Sequence, residues 1–392
     1  MALIPLTVVS VLLHAWVGWR IVPPLATWPV PAWVLVVLLL VLVLSSLLLP
    51  MGLLARRVAK PPLSDVLTWL GLLCMGLLSS LFVLTLLRDV MLLLAWGAAW
   101  LWPVAVSAVA TQRLTVWSAA AVPLLGLGAT VVGLWNARRT AGVVRVDVPI
   151  AGLPAALHGF TVAQISDIHV GPTIKHGYLQ AIVTAVNALG ADLVAITGDL
   201  VDGSVAELSG HVAPLSQLRS RHGTYFVTGN HEYYSGAHAW IDELRRLGVQ
   251  VLMNEHVVLQ HGGNTSTASA ALVVAGVSDY SAHQFDESHR SDAQAAMAGA
   301  PAHVGFRLLL AHQPRSAPAA AQAGFHLQLS GHTHGGQFWP WNHFVRFQQP
   351  FTAGLHRLQD LWVYTSRGTG YWGPPKRFGA PSEITHLRLV AA

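Results

Sequence analysis

The hydrophobic pattern divides the chain near residue 136. Before it, apolar residues run almost unbroken. Leu35-Val-Val-Leu-Leu-Leu-Val-Leu-Val-Leu44 is apolar on every face and has no polar stripe, which excludes an ordinary amphipathic bundle. Runs of about 20 apolar residues predict membrane helices. Five are expected, over roughly 2–22, 32–54, 66–87, 90–110 and 116–135, with only Arg88-Asp89 between the third and fourth. From about residue 141 the period changes. Short runs rich in Val, Ile and Leu, at 160–166, 193–197, 224–228, 272–277, 307–311 and 326–330, predict strands. Between them, Leu179, Ile182, Val183, Val186 and Leu189 fall at helical spacing, as do Trp240, Ile241, Leu244 and Leu247, with Gly248 as a stop. Strand, polar loop and helix in alternation predict an α/β domain over 141–392, after a membrane region over 1–140.

Composition supports the division. Mean hydropathy is +0.50 and only 10% of residues are charged. Residues 1–140 carry 8 Lys/Arg against 2 Asp, and residues 141–392 carry 15 Lys/Arg against 16 Asp/Glu. The basic excess therefore belongs to the membrane region. The near-neutral remainder lacks the footprint of a nucleic-acid binder, so no nucleic-acid partner is expected. One cysteine, Cys74, excludes an internal disulfide and lies in an apolar run. Few ionisable residues fall inside the spans, namely His14 and the boundary pair Arg88 and Asp89. That favours an anchor in the cell membrane over a transport path. Arg56, Arg57 and Lys60 between the second and third spans favour a cytoplasmic loop there. With five spans this places the large domain outside the cytoplasm, although Arg138, Arg139 and Arg145 pull the other way.

The chemistry sits at the ends of the predicted strands. Asp167-Ile-His169, Gly198-Asp199, Gly229-Asn230-His231-Glu232, His312 and Gly331-His332-Thr333-His334 each follow an apolar run. Ligands in α/β folds gather beyond the carboxyl ends of strands. Mixed oxygen and imidazole donors suit divalent first-row metals, and paired metals activate water against phosphate esters. A loop residue explains one such donor more easily than it explains seven.

These five blocks, in this order, resemble the calcineurin-like metallophosphoesterase superfamily, and the resemblance covers roughly residues 143–390. The tail around Ser366-Arg-Gly-Thr-Gly370 and Arg377-Phe-Gly-Ala-Pro-Ser-Glu-Ile384 is similar to a bacterial membrane-associated phosphodiesterase branch. The resemblance implies two stacked mixed sheets flanked by helices. It implies two divalent ions (Mn, Fe, Zn, Co or Mg), one held by Asp167, His169, Asp199 and His334 and the other by Asp199, Asn230, His312 and His332. It further implies in-line attack by a hydroxide bridging the metals, with His231 protonating the leaving oxygen. Glu232, where many relatives have Asp, is expected to orient His231. Asp202 is expected behind the ligands or capping its loop, and Asp279 near its strand end behind them.

Trp339, Trp341, Phe344 and Arg346 follow the last ligands closely. They predict a wall for an amphiphilic substrate or contact with the membrane interface, against ordinary packing of an insertion. The expected function is a membrane-anchored phosphoesterase acting on a phosphodiester or pyrophosphate. Relatives of this layout act on phosphodiesters and some cleave nucleotide-linked lipids, so the bilayer and a phosphodiester substrate, a lipid-linked one included, are the expected partners. A membrane sensor or scaffold with a vestigial site, or a transporter with a regulatory phosphoesterase domain, is the alternative.

Overall fold

The computed structural model describes residues 3–102, 107–262 and 269–392. It divides into two compact units, residues 1–135 with 373–378, and residues 136–372 with 379–392.

The first unit is helical. It contains α1 (Leu3–Ala26), α2 (Ala32–Leu53), the short α3 (Ala55–Val58), α4 (Leu63–Leu101) and the greater part of α5 (Ala108–Arg138). Among the described residues four helices are long and apolar enough to cross a bilayer, where five spans are expected. The difference lies at Arg88-Asp89. No Gly or Pro interrupts the chain there, and the charges are compensated without a loop. Arg20 Nε and Nη2 reach the Asp89 carboxylate at 2.8 and 2.9 Å, and Arg88 donates to Ser118 Oγ at 3.1 Å and the Thr115 carbonyl at 3.0 Å. The expected third and fourth spans therefore run into one helix of 39 residues. Residues 103–106, at the end of the expected fourth span, lie outside the described residues. Leucines and valines such as Leu40, Val43 and Leu94 point outward, as a lipid-facing bundle requires. Where α2 meets α4, a Cβ on Gly52 or Gly71 would fall 2.6 Å from the other glycine's Cα, so the backbones touch. Lys376 is buried in this unit, with Nζ 2.9 Å from the Gly76 carbonyl.

The second unit holds two six-stranded mixed sheets. The strands are β1 (Gly142–Ile150), β2 (Thr161–Ile165), β3 (Leu193–Ile196), β4 (Thr224–Phe226), β5 (Gln250–Val251), β6 (Glu255–His261), β7 (Ala270–Gly276), β8 (Phe306–Leu310), β9 (Leu327–Ser330), β10 (Gly354–Leu358), β11 (Leu361–Thr365) and β12 (Glu383–Ala391). One sheet runs β1-β12-β2-β3-β4-β5 and the other β10-β11-β9-β8-β7-β6. Strands β2 to β5 run parallel to one another, and so do β7, β8, β9 and β11, whereas β12 is antiparallel to β2, β6 to β7 and β10 to β11.

The side-chain alternation of strands assigns each residue a layer. Val162, Leu193, Ala195 and Tyr225 of the first sheet share a core with Leu272, Val274, Phe306, Leu308 and Leu329 of the second. The alternate residues Ala163, Ile165, Val194, Ile196 and Phe226 pack against α6 (His176–Asn187), α7 (Val205–Val212) and α9 (Ala237–Arg246), with α8 (Asn230–Ser235) leading into α9. Val273, Ala275, Leu309 and Val363 pack against α10 (Ala317–Gln322). The stacked sheets flanked by helices match the expected fold. Strands β2, β3, β4, β7, β8 and β9 are buried over most of their length, as central parallel strands are, and each matches a predicted run.

Candidate metal centre

The turns leaving β2, β3, β4, β8 and β9 bring the predicted donors together. Asp167, His169 and His334 form one group that could hold a metal, and Asp199, His312 and His332 form a second. Within each, the donor atoms lie no more than 4.8 Å apart. Asp199 Oδ2 faces both groups, 3.2 Å from His312 Nε2 and 3.9 Å from His169 Nε2. His334 Nε2 lies 3.6 Å from Asp167 Oδ1 and 3.1 Å from His169 Nε2. His332 Nδ1 is 3.2 Å from His312 Nε2. Ring nitrogens this close, with acid oxygens between them, aim at common points.

The local backbone is built for this convergence. Asp167, His169, Asp199, His332 and His334 all have left-handed φ, between 50 and 69°. Asp and His tolerate that region better than most residues, yet it still costs about 1–3 kcal/mol each in general. Strain repeated at five of the seven predicted donors marks a site that the surrounding fold holds in place. Two glycines permit the approach. A Cβ on Gly229 would meet Asp199 Oδ1, and one on Gly331 would meet Asp167 Oδ2 and Ser166 Oγ.

The donor set fits divalent metal. Asn230 Oδ1 and Asp167 Oδ2 are buried and accept no hydrogen bond, a costly state for a polar atom unless a cation supplies the partner. Burial pushes the Asp167 carboxyl up. Burial would raise Asp199 as well, but His312 and its hydrogen bond outweigh it and hold that carboxyl well below the usual range. Burial, with the neighbouring His312 charge, lowers His332 to about 3, leaving a neutral imidazole free to ligate.

His231 stands beside these groups. Its amide donates to Asp199 Oδ1 at 2.9 Å, and its Nδ1 lies 2.5 Å from Asp202 Oδ1. Burial disfavours the imidazolium, but the Asp202 bond and the Asp199 and Asp202 charges prevail and raise it to about 9. Asp202 also lies 3.2 Å from His169 Nδ1, so it holds both rings from behind. It takes the orienting place expected of Glu232. Glu232 instead accepts from the amides of Asp199, Leu200 and Gly229 at 3.0, 2.8 and 2.6 Å. The extra methylene lets its carboxylate reach under the β3 turn and staple it to the β4 turn. Asp279 lies behind the donors. Its carboxylate accepts from Gln313 Nε2 at 3.1 and 3.2 Å and from Ser281, fixing the residue after His312.

Trp339, Trp341 and Phe344 are partly exposed on the turns that follow the last donors, with Trp341 and Phe344 rings 6.0 Å apart and Arg346 stacked on Phe347. The rings packed on His231 itself are others, Tyr234 at 5.2 Å and Trp372 at 5.6 Å. Gln337 pins Trp372 through both of its backbone polar groups at 2.8 Å. The sequence offered no signal for Trp372 because it lies 35 residues beyond Gln337, past two further strands.

Comparison with known proteins agrees with this geometry. The family model described as calcineurin-like phosphoesterase matches residues 160–336, and the chain belongs to the calcineurin-like metallophosphoesterase family. It is 40% identical over 329 residues to a bovine (Bos taurus) transmembrane protein with metallophosphoesterase domain, covering 81% of this chain and 73% of that one. The zebrafish (Danio rerio) protein of the same description is 39% identical, over 67% of this chain and 60% of its own length. An uncharacterised metallophosphoesterase of Campylobacter jejuni is 34% identical, over 65% and 64%. The protein is thus a membrane protein with a metallophosphoesterase domain.

Proposed function

We propose that this chain uses two divalent ions to hydrolyse a phosphodiester or pyrophosphate bond in a membrane-associated substrate. The observation that carries the reading is the convergence of six of the seven predicted donors from four strand ends on two sheets, five of them in left-handed backbone. On this reading Asp167, His169 and His334 hold one ion, Asn230, His312 and His332 the other, and Asp199 reaches both. Two bound ions supply water activated near neutral pH, its pKa lowered from about 15.7 toward about 7, and offset the charge of the phosphate. His231, fixed by Asp202, gives its proton to the departing oxygen. Asp202 and Glu232 act by position, the first on the imidazole and the second on the turns that carry Asp199 and Asn230.

A complete donor set argues against a vestigial sensor or scaffold. The paired charges of α1 and α4, with α5 supplying polar partners, argue for an anchor rather than a transport path. The span count bears on orientation. With four spans, the loop carrying Arg56, Arg57 and Lys60 and the segment carrying Arg138, Arg139 and Arg145 fall on the same side. The positive-inside rule then favours a cytoplasmic catalytic unit, in place of the external one that five spans imply. A lipid-linked precursor made on the cytoplasmic face suits that side, and the exposed Trp339, Trp341 and Phe344 suit its acyl portion.

The test uses full-length protein in detergent, with an aryl phosphodiester, inorganic pyrophosphate and a nucleotide-linked lipid. Chelation is expected to abolish hydrolysis and Mn²⁺ to restore it, and Asp199→Ala to remove turnover because both ions lose a ligand. Unchanged turnover in Asp199→Ala overturns the two-metal reading. Replacing Trp339 and Trp341 by Ala is expected to raise KM for the lipid about tenfold per ring while leaving the aryl diester unchanged. Equal losses on both substrates would show a packing role. A reporter fused to the C-terminus, active only in the cytoplasm, is the expected result for orientation.

A further inference from the structure

We propose that His238, Asp286 and His289 form an additional, solvent-accessible site for Zn²⁺, separate from the seven donors of the catalytic centre. One ligand atom from each of these residues lies within 4.8 Å of the others. His238 Nε2 is 3.0 Å from Asp286 Oδ2, and the His238 and His289 ring centroids are 4.8 Å apart. Two ligands at about 2.0–2.1 Å from a tetrahedral ion are about 3.3 Å apart, so small rotamer adjustments suffice.

An exposed His–Asp pair is common on protein surfaces. The feature that separates this cluster from such a pair is that two of its three residues are already held from behind. Asp286 Oδ1 is occupied by the Ser288 amide at 2.9 Å and the Ser288 hydroxyl at 2.6 Å, which leaves Oδ2 turned to the cluster. His289 Nδ1 lies 3.0 Å from the Tyr233 hydroxyl, which leaves Nε2 as its remaining ring nitrogen. Fixing the second nitrogen or oxygen of each ligand is how metal sites orient their first contacts. His238 is 71% exposed at its side chain, so an ion has a path in.

Two imidazoles and one carboxylate favour Zn²⁺ among available divalent ions, with water in the fourth position, and disfavour Mg²⁺ and Ca²⁺, which prefer oxygen alone. The bound ion would join the start of α9 to the 286–289 segment. That segment adjoins Phe285, whose ring packs 5.6 Å from Tyr233 and 5.5 Å from Tyr234 on the helix that begins at Asn230.

The experiment is equilibrium dialysis of full-length protein in detergent against buffered Zn²⁺, with bound metal counted per chain. Wild type is expected to bind one equivalent more than His238→Ala, and Asp286→Asn is expected to lose the same equivalent. Tyr233→Phe should keep the count and weaken that equivalent about 10–100-fold. The exposure of His238 makes its replacement safe for folding, and circular dichroism with residual hydrolysis in Mn²⁺ checks this. The same Zn²⁺ content in wild type and both ligand variants overturns the site. Because the readout is a difference in stoichiometry at residues outside the catalytic centre, it stands or falls independently of the proposed hydrolysis.

Discussion

In the helical unit, Arg20 and Arg88 turn to Asp89, and His14 Nε2 lies 2.8 Å from Ser45 Oγ. In the catalytic unit, Asp167 Oδ2 and Asn230 Oδ1 are buried with no hydrogen-bond partner, and histidine nitrogens face one another at 3.1–3.2 Å. Both regions bury ionisable groups, at a cost that demands compensation. The helices meet the cost internally, since Arg20, Arg88, Asp89 and His14 are satisfied by one another or by hydroxyls and carbonyls of the bundle. The catalytic unit leaves it to be met from outside, by cations. A buried polar group whose partners are all present points to structure, whereas one held in strained backbone without a partner points to chemistry.

The comparison makes opposite demands on mutations in the two units. The largest expected effect is at His231. His231→Gln should keep near-normal metal content and melting temperature while kcat falls roughly 10²–10⁴-fold, the general scale of acid–base catalysis. The loss should shrink for a nitrophenyl leaving group, which departs without a proton. If metal content falls with the rate, His231 is a ligand and the division between holding metal and moving protons is wrong.

Asp89→Ala should do the reverse. It leaves Arg20 and Arg88 without their shared carboxylate. Polar contacts inside membrane bundles are worth about 1–2 kcal/mol or less, so the helical unit should lose roughly that amount in a detergent unfolding titration. Hydrolysis of a small aryl diester should be unchanged. A matching fall in kcat would mean that the pair serves the reaction and that the helices are more than an anchor.

Much of the candidate site was legible because each donor block follows a predicted strand. Period and motif therefore coincide at Asp167, Asp199, Asn230, His312 and His332. The fold was legible for the same reason in its six central parallel strands. The edge strands escaped. β1 alternates apolar and polar residues, β10 has no buried residue and carries His356 and Arg357 at its centre, and β5 is two residues long, so none makes a continuous apolar run. Roles set by reach rather than spacing were also hidden. Nothing in Asn230-His-Glu232 says that the glutamate turns under the loop while Asp202, far upstream, holds the imidazole. The span count failed because a charged pair reads as a loop until its partners on α1 and α5 are known.

The smallest effect concerns pH. His14 is the one histidine in residues 1–135, so the titration of histidines belongs to the catalytic unit. His326, outside the metal centre, is the clearest case. Its Nδ1 accepts the Arg307 amide at 3.0 Å, and its ring stacks on Phe306. A protonated ring cannot accept at that nitrogen. Burial, then the Arg307 charge, pushes the imidazole below its ordinary 6.5. A depressed histidine binds its proton more readily in the unfolded chain. Its contribution is therefore complete above about pH 6.5 and is lost as pH falls from there toward the folded value. Through His326, unfolding of the catalytic unit should become easier between pH 7.5 and 5.5, against the opposite contribution of His231, which is raised to about 9. His326→Asn, which keeps an acceptor near the same place but does not titrate, should reduce that slope. An unchanged slope would assign the pH dependence to other half-buried histidines, such as His222 and His386, which burial also lowers.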